Sequence, residues 1–349
     1  MSTELLIQYG LIPIVQIVVV MIVVLTVVAY GVYAERKILA FIHSRLGPMR
    51  VGPWGLFQPI ADGLKLIMKE DLRPSVADSL IFIISPAILM MASLAAMSMM
   101  PFGEGMTLFG YEVPYVIADV NIGVLAILAL SSLSIYAVVL GGWSSNSKYP
   151  MIGALRSAAQ MVSYEVALAF VVLATLMIAG TMSTVGIVEA QRNLGVWFFL
   201  AQPVGFVLFL ICMVAETNRL PFDLPEAETE LVSGYFTEYS GMRWAFYMLG
   251  EYAAMIAMSC LAVTLFLGGW LRPFPNSEYT AFLGVIPGPI WFMLKGFMFM
   301  YFFIWIRGTY PRYRYDQLMT IGWKVLIPIS IANMFVTGLI ILLIQAAAG

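Results

Sequence analysis

Charge, thiol and imidazole are all scarce in this 349-residue chain. Only 11% of its residues are charged, against about a quarter in an ordinary soluble domain, so a water-facing globular surface is excluded. With 18 basic against 20 acidic residues the net charge is −2, which offers no attractive field to a nucleic acid. The 61% hydrophobic content equally excludes a disordered chain. There are two cysteines, Cys212 and Cys260, and a single histidine, His43. An iron–sulfur cluster generally takes four thiolates, and a haem needs an axial ligand that is most often His. The chain is therefore read as binding no metal or redox cofactor of its own. The cysteines read as small apolar fillers, and His43, in a basic linker, as a surface or hydrogen-bonding residue.

What the sequence does have is long apolar runs. Eight intervals nearly free of charge lie at 5–34, 79–103, 120–147, 157–188, 193–215, 244–271, 279–306 and 325–349. A helix needs about 20 residues to cross the hydrocarbon core, and none of the intervals shows the two-residue alternation of a barrel strand. The fold class is thus an all-α polytopic membrane protein, with residues 1–349 as a single integral membrane domain of about eight transmembrane helices. The linkers after the first, third, fifth and seventh intervals hold all the basic residues except Arg192, Arg272 and Lys295. The positive-inside bias places those linkers in the cytoplasm and both termini on the periplasmic side. The first run is too long for the apolar region of a signal peptide and lacks a cleavage site. The N-terminus is not arginine-rich like a transit peptide, which points to a bacterial inner membrane rather than an organellar one.

The first cytoplasmic linker, 35–77, is too long for a turn. Gly-Pro pairs at Gly47-Pro48 and Gly52-Pro53 force bends, and Trp54 suits a bilayer interface. Pro59 fits the first turn of a helix. Beyond it Leu56, Ile60, Leu64, Ile67 and Met68 recur at helical spacing, with Asp62, Lys65 and Lys69 on another face. Such an amphipathic helix lies in the membrane surface. It serves either as an anchor or as one wall of a passage for an amphiphilic ligand, and the pattern alone does not separate the two.

The third cytoplasmic linker, 216–243, is acidic on an otherwise basic side. It carries Glu216, Asp223, Glu226, Glu228, Glu230 and Glu238, interleaved with Leu220, Phe222, Leu224, Leu231, Tyr235, Phe236 and Tyr239 and stiffened by Pro221 and Pro225. A solvated loop is the usual fate of a charge run, but this apolar content predicts a structured segment tucked into a cavity. Crowded carboxyls share protons and release them in coupled steps, as a proton relay requires. Within the spans stand Glu165, Glu251 and Lys295. A charge at bilayer depth costs roughly 2.5–3.5 kcal/mol even on lenient scales and usually marks function. Glu251 could instead face water near the cytoplasmic mouth, and Lys295 could snorkel to the far interface.

Several runs occur in one order: Tyr33-Ala34-Glu35-Arg36-Lys37, Arg45-Leu46-Gly47-Pro48, Gln58-Pro59-Ile60-Ala61-Asp62-Gly63-Leu64-Lys65, Gly141-Gly142-Trp143-Ser144-Ser145-Asn146-Ser147-Lys148-Tyr149, Ser163-Tyr164-Glu165 and Glu216 to Gly241. Together they closely resemble the membrane-arm heel component (the H subunit) of respiratory complex I, the proton-pumping NADH:quinone oxidoreductase, over essentially the whole chain. Met49 and Pro150 depart from that pattern. The resemblance implies a component with no catalytic residue of its own and a quinone as the substrate. FMN and the iron–sulfur clusters would be carried by partner subunits. It implies a quinone chamber framed by the first span, the interfacial helix and the sixth span, with Glu35, Arg36, Arg45, Asp62 and Lys65 at the chamber. It further implies a proton relay of Glu216, Glu226, Glu228, Glu230 and Glu251 leading to Glu165. That relay would continue into small membrane subunits and the antiporter-like pumps beyond. Peripheral-arm subunits, quinone and membrane lipid are the implied partners, and no nucleic acid is among them. The competing readings are the anchor component of a homologous membrane-bound hydrogenase or of a ferredoxin- or F420-linked complex, and a stand-alone proton-coupled transporter. The absence of visible inverted repeats counts against the transporter.

Overall fold

A computed structural model describes residues 7–108, 110–223 and 232–348. Seven of the described helices are long and apolar enough to cross a membrane, and the chain is a multi-pass membrane protein. Helices dominate because backbone groups in lipid must be satisfied within the segment itself.

After a π-helical turn at Ile7–Leu11, α1 runs over Ile12–Ile42. It continues well past the first charge-free interval, so Glu35, Arg36 and Lys37 are helical rather than part of a loop. Charge ends an apolar run but does not end a helix. The exposed His43 then caps α1, its backbone N–H donating to the Leu39 carbonyl at 3.0 Å. The amphipathic helix α2 spans Gln58–Met68 with Pro59 in its first turn, as predicted. Next comes α3 (Ser79–Met97), whose N-terminus is capped by Asp78 accepting from the Leu80 and Ile81 amides. A short hairpin of β1 (Met106–Leu108) and β2 (Tyr111–Val113) precedes α4 (Gly123–Ser144) and α5 (Lys148–Ala179). Gly180, at φ +70°, closes α5 in a conformation that a side chain would resist.

The fifth apolar interval is divided. It contains the end of α6 (Thr184–Leu194), the single turn α7 (Phe198–Ala201) and α8 (Pro203–Glu216). Pro203 has no N–H to continue the preceding turn. The Gln202 side chain beside it instead accepts from Thr175 Oγ1 at 2.9 Å and donates to Thr337 Oγ1 at 3.2 Å. At about 1.5 Å per residue, α8 is shorter than a full crossing and packs on α5, so the described residues hold seven helices of crossing length where the sequence predicts about eight. The chain then forms α9 (Gly241–Phe266), α10 (Gly288–Thr309), α11 (Tyr315–Ile321), a π-helical turn (Gly322–Leu326) and α12 (Ile327–Ala348).

Contacts between connections define two ends. At the basic end, Arg243 pairs with Asp71 at 3.0 Å, and the Leu72 amide donates to Ser240 Oγ at 2.8 Å. At the far end, Arg192 pairs with Glu104, and the Asn276 side-chain Nδ2 donates to the Arg192 carbonyl at 3.1 Å. Every residue of α9 from Met255 to Phe266 is buried, so α9 is the axis of the bundle. It packs on α3, α10 and α1.

Lys295 does not snorkel. Its ammonium is buried and donates to the carbonyls of Leu267, Gly269 and Leu271 at 2.6, 2.9 and 2.6 Å, with the Trp197 ring 4.3 Å away. These carbonyls lie just beyond α9, where no further helical turn supplies donors. A cation at that point also answers the negative end of the helix dipole.

Candidate functional site

The basic end holds a set of buried and half-buried charges assembled from four parts of the chain. Glu35 on α1 is 5% exposed. It pairs with Arg307 from the last turn of α10 and stands 3.8 Å from Arg219, and Tyr252 on α9 donates its hydroxyl to it at 2.6 Å. Arg219 follows the end of α8, where its amide donates to the Val214 carbonyl at 3.3 Å and turns the chain back. Its guanidinium lies 4.3 Å from the centre of the Tyr252 ring. Asp223, also buried, pairs with Arg312 at 3.1 Å. Glu251, one residue before Tyr252, accepts from the Tyr235 hydroxyl at 2.6 Å. Arg219, Asp223 and Arg307 are all near enough to act on Glu251 electrostatically.

A second pair of acids is built differently. Glu216, the last residue of α8, is buried, and among the described residues neither of its carboxyl oxygens has a hydrogen-bond partner. Next to it Gln160 of α5 donates to the Ala215 carbonyl at 2.8 Å, while its own side-chain oxygen finds no donor among the described residues. Glu165, further along α5, accepts from the Ser132 hydroxyl of α4 and lies close enough to Glu216 to act on it electrostatically. Glu226, Glu228 and Glu230 lie outside the described residues.

The residues expected at a chamber mouth are partly gathered. Arg36 meets Asp62 of α2 at 2.6 Å, Gln58 donates to the same carboxylate at 3.1 Å, and Lys65 stands 3.7 Å from it. The Tyr33 hydroxyl donates to the Trp54 carbonyl at 2.7 Å, which ties α1 to the bend before α2. Arg45 is exposed and is not brought to this group. The apolar face of α2, with Ile60, Leu64, Ile67 and Met68, is open. Alongside, an apolar groove of about 400 Å³ runs between α1 and α10, lined by Tyr30, Ala34, Ile38, Phe297, Tyr301 and Ile304. Met49, one of the departures from the pattern, receives the Lys37 ammonium at its sulfur at 2.9 Å.

The profile of the NADH dehydrogenase family matches residues 15–338. The chain is 49% identical to the first H subunit of the NADH-quinone oxidoreductase of Geobacter metallireducens over 332 residues, covering 95% of this chain and 97% of that one. The chain belongs to the family of NADH-quinone oxidoreductase H subunits. The H subunit of Rhodospirillum centenum is 48% identical, with 94% of this chain and 93% of that one covered. The H subunit of Thermomicrobium roseum is 46% identical, with 92% and 94% covered. In this member of the family, sequence reasoning missed Arg307, Arg312, Tyr252 and Ser132. Each looks ordinary where it stands: an arginine in a basic linker, a tyrosine or serine in a helix. Only the acids they meet single them out. The two cysteines are both buried and unpaired.

Proposed function

We propose that the chain is the quinone-chamber and proton-coupling component of an NADH:quinone oxidoreductase. On this reading the basic end faces the cytoplasm of a bacterium, both termini face the periplasm, and the peripheral-arm subunits dock on the basic end. Arg36, Asp62 and Lys65 stand at the mouth through which a quinone enters from lipid, and the open apolar groove beside α1 accommodates its isoprenoid tail. Arg45 and Glu35 belong to the same chamber, Arg45 on its exposed margin and Glu35 in its inner wall. FMN and iron–sulfur clusters on partner subunits deliver the electrons.

Reduction of a quinone to a quinol consumes two electrons and two protons. A proton drawn from the chamber wall leaves a carboxylate behind, and that negative charge acts on every neighbouring acid. Glu251, Glu216 and Glu165, with Glu226, Glu228 and Glu230 of the acidic run, are the relay that carries this disturbance onward to the small membrane subunits. The observation that carries the reading is that acids from four separate helices stand in two groups, Glu35 and Glu251 around Arg219 and Arg307 at the basic end, and Glu216 within electrostatic reach of Glu165. Buried acids at bilayer depth are retained for a task rather than for stability.

The test is made on the assembled complex in liposomes. Glu165→Gln and Glu228→Gln are each expected to assemble and to lose quinone reduction, proton translocation or both. Full coupled activity in both variants would end the relay assignment.

A further inference from the structure

Away from the basic end stand Arg192, Arg272 and Lys295, and the last of these caps α9. The two arginines line one cavity of about 520 Å³ at the far end, with Glu104, Tyr115, Trp270 and Trp291 among its walls. The cavity lies between the end of α9 at Phe266 and the start of α10 at Gly288. That is the level at which two crossing helices leave and re-enter the membrane, and tryptophan belongs at such an interface. Gly288 lets Trp270 stand against the first turn of α10, since an added Cβ would lie 3.2 Å from the Trp270 Cβ.

The charges of the cavity are held in place. Arg272 Nη2 donates to the Pro275 carbonyl at 2.8 Å and Nη1 to the Thr280 carbonyl at 3.2 Å. Carbonyls fix a guanidinium without cancelling its charge, and its planar fork suits a phosphate. Glu104 pairs with Arg192 and accepts from Trp270 Nε1 at 3.3 Å, both through Oε1. Its Oε2 accepts no hydrogen bond among the described residues. An adjoining cavity of about 460 Å³ shares Glu104, Tyr115, Arg192 and Trp270 and adds Asp119 and Glu189. Two cations beside three acids suit a ligand of both signs rather than a bare anion. Further along α10, Ile290, Met293, Leu294 and Phe297 are exposed at helical spacing and form one apolar face leading into the bilayer.

We infer that this cavity holds the headgroup of an ethanolamine-type phospholipid, its phosphate on Arg272 and Arg192 and its ammonium on Glu104. The acyl chains descend along the exposed face of α10. A primary ammonium carries three N–H donors and reaches Glu104 Oε2 with a charge-assisted hydrogen bond. A choline headgroup has no N–H to offer, and a glycerol headgroup brings no cation to meet the three carboxylates. The bound lipid ties together three connections: Glu104 ahead of β1, Arg192 at the end of α6 and Arg272 beyond α9. The site belongs to the leaflet at the far end and stands apart from the chamber and relay proposed at the basic end.

The test uses the assembled complex in phosphatidylcholine vesicles doped with a phosphatidylethanolamine that carries a diazirine near the ester end of one acyl chain. Irradiation is expected to label this chain within residues 286–297, located by peptide mass spectrometry. Replacing part of the host lipid by unlabelled phosphatidylethanolamine should suppress that label about tenfold more effectively than the same amount of phosphatidylglycerol, the effect of one charge-assisted hydrogen bond. Glu104→Gln, at an exposed side chain, should abolish the preference. Arg272→Gln should cut the label itself about tenfold. Should Arg272→Gln fail to assemble, Glu104→Gln decides the question alone. No label within 286–297, equal suppression by the two lipids in the parental complex, or an unchanged preference in Glu104→Gln overturns the site. Stronger suppression by phosphatidylglycerol marks an anionic-lipid site, and suppression by inorganic phosphate marks a free-anion site; either result also overturns it.

Discussion

Glu35 and Glu216 are equally buried acids, each 5% exposed, in opposite circumstances. Glu35 is held by Arg307, Arg219 and the Tyr252 hydroxyl. Glu216 has no partner among the described residues. A buried carboxylate flanked by guanidinia is a fixed structural element, because removing either partner strands the other in a poor solvent. A carboxyl with no cation beside it carries no such obligation, and its charge is free to depend on what arrives nearby. The difference separates an acid held by cations from one with none among the described residues, and on the proposed reading only the second kind exchanges protons. Glu251 lies between the two, with Tyr235 as its hydrogen-bond donor and the arginines around Glu35 within electrostatic reach.

The comparison is most easily broken at Glu35. Glu35→Ala takes the shared counter-charge from the buried Arg219 and the partly exposed Arg307, and a loss of about 3 kcal/mol is expected. It would be read as a collapse in the yield of assembled complex and a large drop in its thermal midpoint. A smaller effect is expected at the far end. Lys295→Met removes the donor to three carbonyls beyond α9, and about 1–3 kcal/mol should be lost, measured by thermal unfolding in detergent. Glu216→Gln breaks no ion pair, so the expected change in stability is within about 1 kcal/mol, while proton translocation falls. If Glu216→Gln were as destabilising as Glu35→Ala, the division between the two acids would be wrong. The smallest change is expected for Arg36→Ala. Its pair with Asp62 is half exposed, and such pairs contribute up to about 1 kcal/mol. There the effect should lie in the KM for quinone rather than in the melting curve.

Much of the architecture was legible in the sequence. Crossing helices and the amphipathic α2 announce themselves through hydropathy and helical spacing, which are local properties. The extension of α1 through Ile42 and the division at Gln202-Pro203 were not read from charge-free intervals. A charge can remain helical, and a proline can end a helix without any charge. Lys295 illustrates the same limit. Its position in a span was plain, but whether it reaches water or caps a neighbouring helix depends on where α9 ends in space. For the site, the Glu35, Arg36 and Asp62 assignments came with the family resemblance. The partners of Glu35 had no signal of their own.

By itself the sequence determines that this is a membrane protein, where its apolar segments lie and which connections are basic. Composition and periodicity carry that information, since lipid imposes the same demand on every crossing segment. Only the tertiary structure decides which acids are tied down and which are not. Glu35 and Arg307 meet although 272 positions separate them in the chain, and Glu216 meets no cation among the described residues despite the arginine three residues after it. A buried charge is governed by the few ångströms around it, and those distances are a property of how helices pack.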